Sequence, residues 1–475
     1  MRAHEAGALH ADINTRGPWW LQPPRDVNVL ETPLWSLTAR KNEHGALEVG
    51  GVDLRDLVAE HGSPAYVLDE ADLRARARAF GNAFSGYGVY YAGKAFLCTT
   101  VARWIAEEGL NLDVCSAGEL TVALRAGFDP ERIGYHGNNK TTDELRRAVD
   151  AGVGRIIVDS FDEIDRLMAV VSRRSQARSS TTEVGVMLRV TAGVEAHTHE
   201  YIATAHEDQK FGFSITSGDA IAAVRRIQDA PGLRLLGLHS HIGSQIFDTS
   251  GFEVAARRVL ALHAAVRQDL GVELPELGLG GGFGIAYTTQ DDPADPKRLA
   301  AEITEIVEHE CRGRGIAVPA LSIEPGRAIV GPSMCTVYEV GTVKPVALDA
   351  DAARTYVSVD GGMSDNIRTA LYDADYSCTL ASRHSDVPPV LARIVGKHCE
   401  AGDIVVKDEF VPGDIEPGDL LAVPGTGAYC RSMSSNYNHA LRPPVIAVAH
   451  GSAHAVVRRE TEDDLLRTDV GAGRS

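Results

Sequence analysis

Lys94 stands in Tyr91-Ala92-Gly93-Lys94-Ala95, directly after a short apolar run. A lysine at the C-terminal end of a barrel strand points into the mouth where chemistry is done. Partial desolvation there would lower its pKa and free the amine to attack an aldehyde. Glu324, in Glu324-Pro325-Gly326-Arg327, ends another apolar run, where a carboxylate can keep a ring nitrogen protonated. Gly280-Gly281-Gly282 carries no side chains, so its amides can approach a phosphate closely. Arg327 offers a planar fork to a phosphate or a carboxylate. His241 and Ser244, in His239-Ser240-His241-Ile242-Gly243-Ser244, add an imidazole and a hydroxyl. An amine for a Schiff base, a carboxylate for a pyridine nitrogen and a glycine cradle are what pyridoxal phosphate (PLP) asks of a protein.

Each piece has a blander reading. Lys94 alone could be a solvated lysine, and a run of three glycines is more often a flexible loop. Asp113, in Asp113-Val114-Cys115-Ser116, ends the next strand candidate and is placed near Lys94, but a structural aspartate fits as well. The His239-x-His241 pair also suits zinc or nickel in barrel hydrolases. That hydrolase pair ends the first barrel strand, whereas this one sits on a middle strand with no later set of His and Asp ligands. No metal is therefore expected. His197-Thr198-His199, followed by Lys210-Phe211-Gly212, also reads as a loop with two solvated histidines.

These residues must be positioned by regular elements. Strand candidates are 88–91, 112–114, 156–158, 186–190, 235–239, 276–279 and 321–324, with helices at 70–82, 99–108, 118–126, 142–150 and 251–269. Strands alternating with helices over this length predict a parallel (β/α)8 barrel, an α/β fold, spanning 70–334. Strand-like runs dominate afterwards, so 335–475 reads as a β-rich barrel or sandwich domain, joined by 26–69 through a strand near Pro64–Leu68. Residues 1–25 read as a flexible arm, 172–183 as a surface loop or frayed helix end, and the tail after 461 as fraying.

The chain has 475 residues, 44% of them hydrophobic, which suits two domains rather than one. A formal net charge of -18 disfavours nucleic-acid binding. Seven scattered cysteines with no CxxC pair argue against a disulfide framework or structural zinc. No apolar run approaches a signal sequence or a membrane span, so a cytoplasmic protein without membrane association is expected.

In this order, Tyr91–Ala95, the His241–Ser244 motif, Gly280–Gly284 and Glu324–Arg327 resemble the fold-type III PLP-dependent decarboxylases, with their alanine racemase-like barrel. Cys399-Glu400 and Tyr429 narrow the resemblance to the diaminopimelate decarboxylases. The resemblance implies decarboxylation of meso-2,6-diaminopimelate to L-lysine, with PLP on Lys94. It places His241 against the cofactor ring, Ser244 on the phosphate and Glu324 at the ring nitrogen. Asp113, Gly280, Gly281, Gly282, Gly326, Arg327 and Tyr429 complete the cofactor site. It implies Arg327 and Arg368 for the distal carboxylate, Glu400 for the ammonium, and Tyr372 and Tyr429 as hydrogen-bond partners. Cys399 is the implied proton donor. Cys399 and Glu400 come from the neighbouring subunit of a homodimer in this family. Ala401 departs from the usual Cys-Glu-Ser-Gly-Asp and removes a hydroxyl. Other PLP decarboxylases (for ornithine, arginine or carboxynorspermidine), a non-catalytic PLP-binding protein and a metallohydrolase remain as alternatives.

Overall fold

Eight short runs with buried aliphatic or aromatic residues pair side by side, all parallel, into a closed barrel. They are β1 (Gly88–Ala92), β2 (Asn111–Val114), β3 (Ile133–Tyr135), β4 (Arg155–Val158), β5 (Val184–Thr191), β6 (Leu233–His239), β7 (Glu276–Gly278) and β8 (Ala320–Ile323). The chain's structure is a computed structural model that describes residues 17–178, 183–193, 210–349 and 352–471. Closure comes from β8 pairing with β1 and β4 with β5, which leaves no open edge. Helices follow the strands, among them Thr99–Glu107, Ala117–Arg125, Thr142–Ala151, Phe161–Arg178, Asp219–Gln228, Ser250–Leu270 and Pro296–Arg314. Their starts are chemically marked: Thr141 and Glu144 form a reciprocal capping box at Thr142–Ala151, and Asp295 caps Pro296–Arg314.

The contacts divide the chain into two compact units. One is Arg74–Gly284 with Pro293–Ile329, which holds the barrel. The other is Met1–Leu73, Ile285–Asp292 and Val330–Ser475. In this second unit a mainly antiparallel sheet runs through Ile404–Pro412, Pro389–Val395, Ala352–Val359, Met334–Asp349, Ala65–Asp69, Val445–Ala449 and Ser452–Val457. Ala65–Asp69 lies between Met334–Asp349, antiparallel to it, and Val445–Ala449, parallel to it. Leu34, Trp35, Leu47, Leu54, Val67, Val337, Leu420 and Ile446 share its buried core. Burying one such leucine or isoleucine side chain stabilises by roughly 1.5–3 kcal/mol.

Three sequence expectations need correction. Strand β3 was not anticipated, because three residues with a central Gly134 give no readable period. The helix after β4 continues to Arg178, so of the two readings of 172–183 the helix end, not the surface loop, holds for 172–178, since Ser and Arg on an exposed face do not stop a helix. The stretch read as a fraying tail contains Glu462–Leu466, a helical turn capped by Thr461 with Asp464. Residues 1–16 of the arm lie outside the described residues, as do His197 and His199. Among the described residues, no helix is long and apolar enough to cross a membrane.

Thr141→Ala removes the side-chain half of the capping box at the helix after β3, leaving the Glu144 amide without its Oγ1 acceptor while the amide of residue 141 can still donate to Glu144. It should lower the unfolding free energy by ~1 kcal/mol in denaturant titration without changing turnover.

Candidate active site

The strand ends deliver the side chains. Lys94 lies in the turn after β1, two residues beyond Ala92. It is exposed, so protein atoms do not desolvate it as the sequence suggested. Its charge is felt by Asp113, Cys115 and His241. The turn is held to the next strand by the Gly93 amide, which donates to the Asp113 carbonyl at 2.9 Å.

Glu324 sits one residue past β8 rather than within it. Its amide donates to the Gly280 carbonyl at 2.9 Å, so the loops after β7 and β8 are stitched together beyond the strands. The carboxylate is largely enclosed, with 12% of the side chain exposed, among imidazoles. Nε2 of His239, the last residue of β6, is 2.6 Å from Glu324 Oε1. Nε2 of His136, just after β3, lies 3.4 Å from the same oxygen and 3.4 Å from Asp113 Oδ1. Burial alone would raise the Glu324 pKa, but His239 and His136 more than offset it and hold the carboxyl well below its usual range. Burial and the nearby Glu324 charge push Asp113 up to about 6. The atoms of His136, His239 and Glu324 that could bind a metal lie within 4.8 Å of one another, but the 2.6 Å contact already joins two of them.

His241 has a different fixture. Its Nδ1 accepts a hydrogen bond from the Gly281 amide at 3.1 Å, which leaves Nε2 to carry the ring proton. Burial, reinforced by the positive charges of Lys94 and Arg189, drives its pKa well below 6.5. The ring is therefore neutral. This corrects one expectation for the glycine run, since the Gly281 amide is engaged by His241. The run is nevertheless required sterically. Gly280 has φ +71°, and a Cβ there would sit 2.8 Å from His241 Nδ1. A Cβ on Gly281 would sit 2.3 Å from the Glu324 carbonyl oxygen, and one on Gly282 2.8 Å from that of Gly243. Gly326 likewise lets the Glu324–Arg327 turn approach the lysine turn, where a Cβ would lie 2.9 Å from Ala92 Cβ. Arg327 donates from Nη2 to Ser244 Oγ at 2.7 Å, bringing together two groups suited to one phosphate. Lys210-Phe211-Gly212 packs at the end of β5, with the Arg189 guanidinium 4.2 Å from the Phe211 ring centre.

The remaining expected residues belong to the other unit. Arg368 opens the short helix Arg368–Tyr372 and is buried. Its guanidinium stacks 4.6 Å from the Tyr287 ring centre and donates from Nη1 to Tyr376 Oη at 2.5 Å. No carboxylate pairs with it among the described residues, and its buried Nε has no hydrogen-bond partner. Tyr372 is half-buried at the other end of the helix. Tyr429 has a left-handed backbone, φ +64°, which is uncommon outside glycine and clusters at functional sites. Cys399 is exposed in the turn between Pro389–Val395 and Ile404–Pro412. That turn is nonetheless rigidly built. Asp403 accepts from the amides of His398 and Met363 at 2.7 and 2.6 Å, and the Glu400 amide donates to the His398 carbonyl at 2.8 Å. Ala401 is exposed, so the missing family hydroxyl leaves no buried gap.

Sequence reasoning passed over His136, Arg189, Tyr287 and Tyr376, and treated His239 only as half of a metal pair. His136 becomes legible once β3 is seen, because it then stands at a strand's C-terminal end like Lys94 and Glu324.

Comparison with known proteins agrees with this geometry. Residues 70–331 match the family of pyridoxal-dependent decarboxylases through its pyridoxal binding domain. A diaminopimelate decarboxylase of Mycobacterium leprae is 54% identical over 99% of this chain and 100% of its own. One of Mycobacterium tuberculosis is 56% identical over 93% and 98%. Among solved structures, the diaminopimelate decarboxylase of M. jannaschii in complex with L-lysine superposes with a TM-score of 0.84 at 27% identity, covering 92% and 98% of the chains.

The Gly281–His241 contact predicts an imidazole protonated on Nε2 that stays neutral below the ordinary histidine range, the sign following from a pKa held well below the usual ~6.5. Nitrogen NMR of histidine-labelled protein checks this. An imidazolium at His241 at pH 6 would contradict it.

Proposed function

The chain belongs to the pyridoxal-dependent decarboxylases and, within them, to the diaminopimelate decarboxylases, and we propose how its residues divide the work. The reaction is decarboxylation of meso-2,6-diaminopimelate to L-lysine and carbon dioxide, the step that yields lysine in its biosynthesis. The residues suit PLP on three counts. Among the described residues both imidazole contacts of Glu324 fall on Oε1, Asp113 Oδ2 is buried without a hydrogen-bond partner, and the glycine run forms a cradle that any Cβ would fill. In this reading Lys94 would hold the cofactor covalently, Ser244, Arg327 and the glycine run would take its phosphate, and Glu324 would pair with its ring nitrogen. When bound, PLP supplies the electron sink that accepts the bonding pair of the departing carboxylate.

The chain's own groups do the rest. Neutral His241, oriented by the Gly281 amide, presents an uncharged ring face. Ionised Glu324 keeps positive charge favourable beside its other oxygen. Asp113 balances the lysine charge. Cys399 delivers a proton from Sγ to the carbon that has lost its carboxylate.

One observation carries the substrate assignment: Arg368 is a buried cation with no carboxylate partner among the described residues. Such a charge is costly unless a partner arrives. The L-amino-acid head of diaminopimelate brings a carboxylate, with Arg327 as a second cation for it. Glu400 then takes the ammonium, with Tyr372 and Tyr429 as hydrogen-bond partners. A bare amine, as in ornithine, would leave Arg368 unpaired.

The exposure of Cys399 on a rigid turn supports a homodimer in which Cys399 and Glu400 serve the neighbouring subunit's site. All seven cysteines are free thiols, which supports a reducing, cytoplasmic setting.

Borohydride reduction of the holoenzyme followed by peptide mapping should find the cofactor on Lys94, and label on another lysine would refute that role. Arg368→Ala should weaken transition-state binding of meso-diaminopimelate by roughly 2–4 kcal/mol while PLP content stays constant. Mixing inactive Lys94→Ala with inactive Cys399→Ala subunits should restore about a quarter of full activity, since each random heterodimer has one intact site. No recovery, with subunit exchange demonstrated, would place Cys399 in its own chain's site.

A further inference from the structure

Glu324 receives two imidazoles on one oxygen. His239 Nε2 reaches Oε1 at 2.6 Å, and His136 Nε2 approaches Oε1 at 3.4 Å. The two rings meet edge to face, their centres 5.0 Å apart and their planes inclined by 68°. Behind His136 stands a second carboxylate, Asp113 Oδ1, at 3.4 Å. His136, His239 and Asp113 are 7%, 2% and 4% exposed, so water screens little of this. His136 just after β3 and His239 at the end of β6 thus converge on Glu324 just after β8, with Asp113 of β2 behind His136.

We propose that His136 is a positioning residue for the decarboxylation: with His239 it fixes Oε1 of Glu324, and so aims the charged carboxylate's Oε2 at the cofactor's ring nitrogen. This rests on the reading of Glu324 as the ring-nitrogen partner.

The proton count supports the arrangement. Two imidazoles and two carboxylates share the cluster. Burial lowers the His239 pKa, so His239 is neutral and donates from Nε2, which leaves its buried Nδ1 without a partner. Burial also opposes charge on His136, but Glu324 and Asp113 outweigh it and push its pKa up to about 9. The cluster's extra proton therefore resides on His136 at neutral pH. The sign follows: a raised pKa means that this charge is fully present below ~6.5 and is lost as pH rises towards 9. Other titratable or charged groups in reach are Lys94 and Tyr90 on the β1 side, Cys115 and Glu119 after β2, Arg189 on β5 and His241 after β6. Of these, Lys94 and Arg189 add positive charge and favour ionised Glu324. Glu119 adds to the negative charge that favours protonated His136.

A residue that acts through another carboxylate costs activity when replaced, typically 10–100-fold for an outer partner of this kind. The test uses His136→Gln, which keeps a side-chain donor but cannot carry charge, beside His136→Asn and Glu324→Gln. In the holoenzyme without substrate, the visible band of bound PLP is titrated from pH 6 to 10. Wild type should show a transition near pH 9 that His136→Gln lacks. His136→Gln should lower kcat for meso-diaminopimelate by ~10–100-fold with KM changed less than ~3-fold, and His136→Asn should fall further. Nitrogen NMR of the wild-type histidines should find an imidazolium at His136 and a neutral ring at His239 at pH 7, which tests the arrangement even if a variant does not fold. The proposal is overturned if His136 is neutral at pH 7, or if His136→Gln keeps the wild-type spectrum and kcat while Glu324→Gln alters both. A stoichiometric zinc ion bound by these side chains in the purified protein would overturn it as well. If Glu324→Gln itself changes neither spectrum nor turnover, the ring-nitrogen reading has failed instead, and that result is distinct from the others.

Discussion

A carboxylate that must stay charged where little water reaches it is the constraint on which the rest of the site depends. Burial alone would drive Glu324 towards its neutral form. His239 and His136 reverse that, and the reversal needs strand ends from different parts of the barrel to meet within a few ångströms. A closed parallel barrel provides such convergence, because every strand delivers its C-terminal residue to the same mouth. The eightfold closure is thus the scaffold for one electrostatic arrangement. Removing a single imidazole would leave an undercompensated buried charge, which costs far more than the loss of an exposed ion pair.

The second dependence is on backbone proximity. The loop after β7 packs against both the Glu324 carbonyl and the His241 ring, at distances that admit no side chain. The same glycine run therefore serves both the orientation of His241 and the stitch to β8. His241 is kept neutral by burial and fixed by an amide, while His136 is kept charged by carboxylates. Two histidines, one after β3 and one after β6, thus perform opposite electrostatic tasks. What differs is the partner each faces: an N–H donor in one case and two anions in the other.

Much of this was legible in the sequence, for physical reasons. Seven of the eight barrel strands are apolar runs flanked by turn residues, and helices such as Thr142–Ala151 announce their starts through Thr141 and Glu144. The motifs around Lys94, His241, Gly280 and Glu324 carry residue types with few other uses in that order. Strand β3 was illegible because three residues give no period, and its loss hid His136. Tyr287 and Tyr376 were hidden for another reason. Their role is to enclose Arg368, and Tyr287 lies in Ile285–Asp292, a short segment interrupting the barrel sequence yet belonging to the other unit. Composition cannot reveal such an assignment, since it depends on contacts far apart in the chain.

The central claim is that the ring nitrogen of the cofactor faces a permanently ionised Glu324. The most direct measurement is the nitrogen-15 chemical shift of ring-labelled PLP bound to the wild-type chain and to Glu324→Gln. The account predicts a protonated ring nitrogen in the wild type and an unprotonated one in the variant. The same protonation state in both proteins would contradict it.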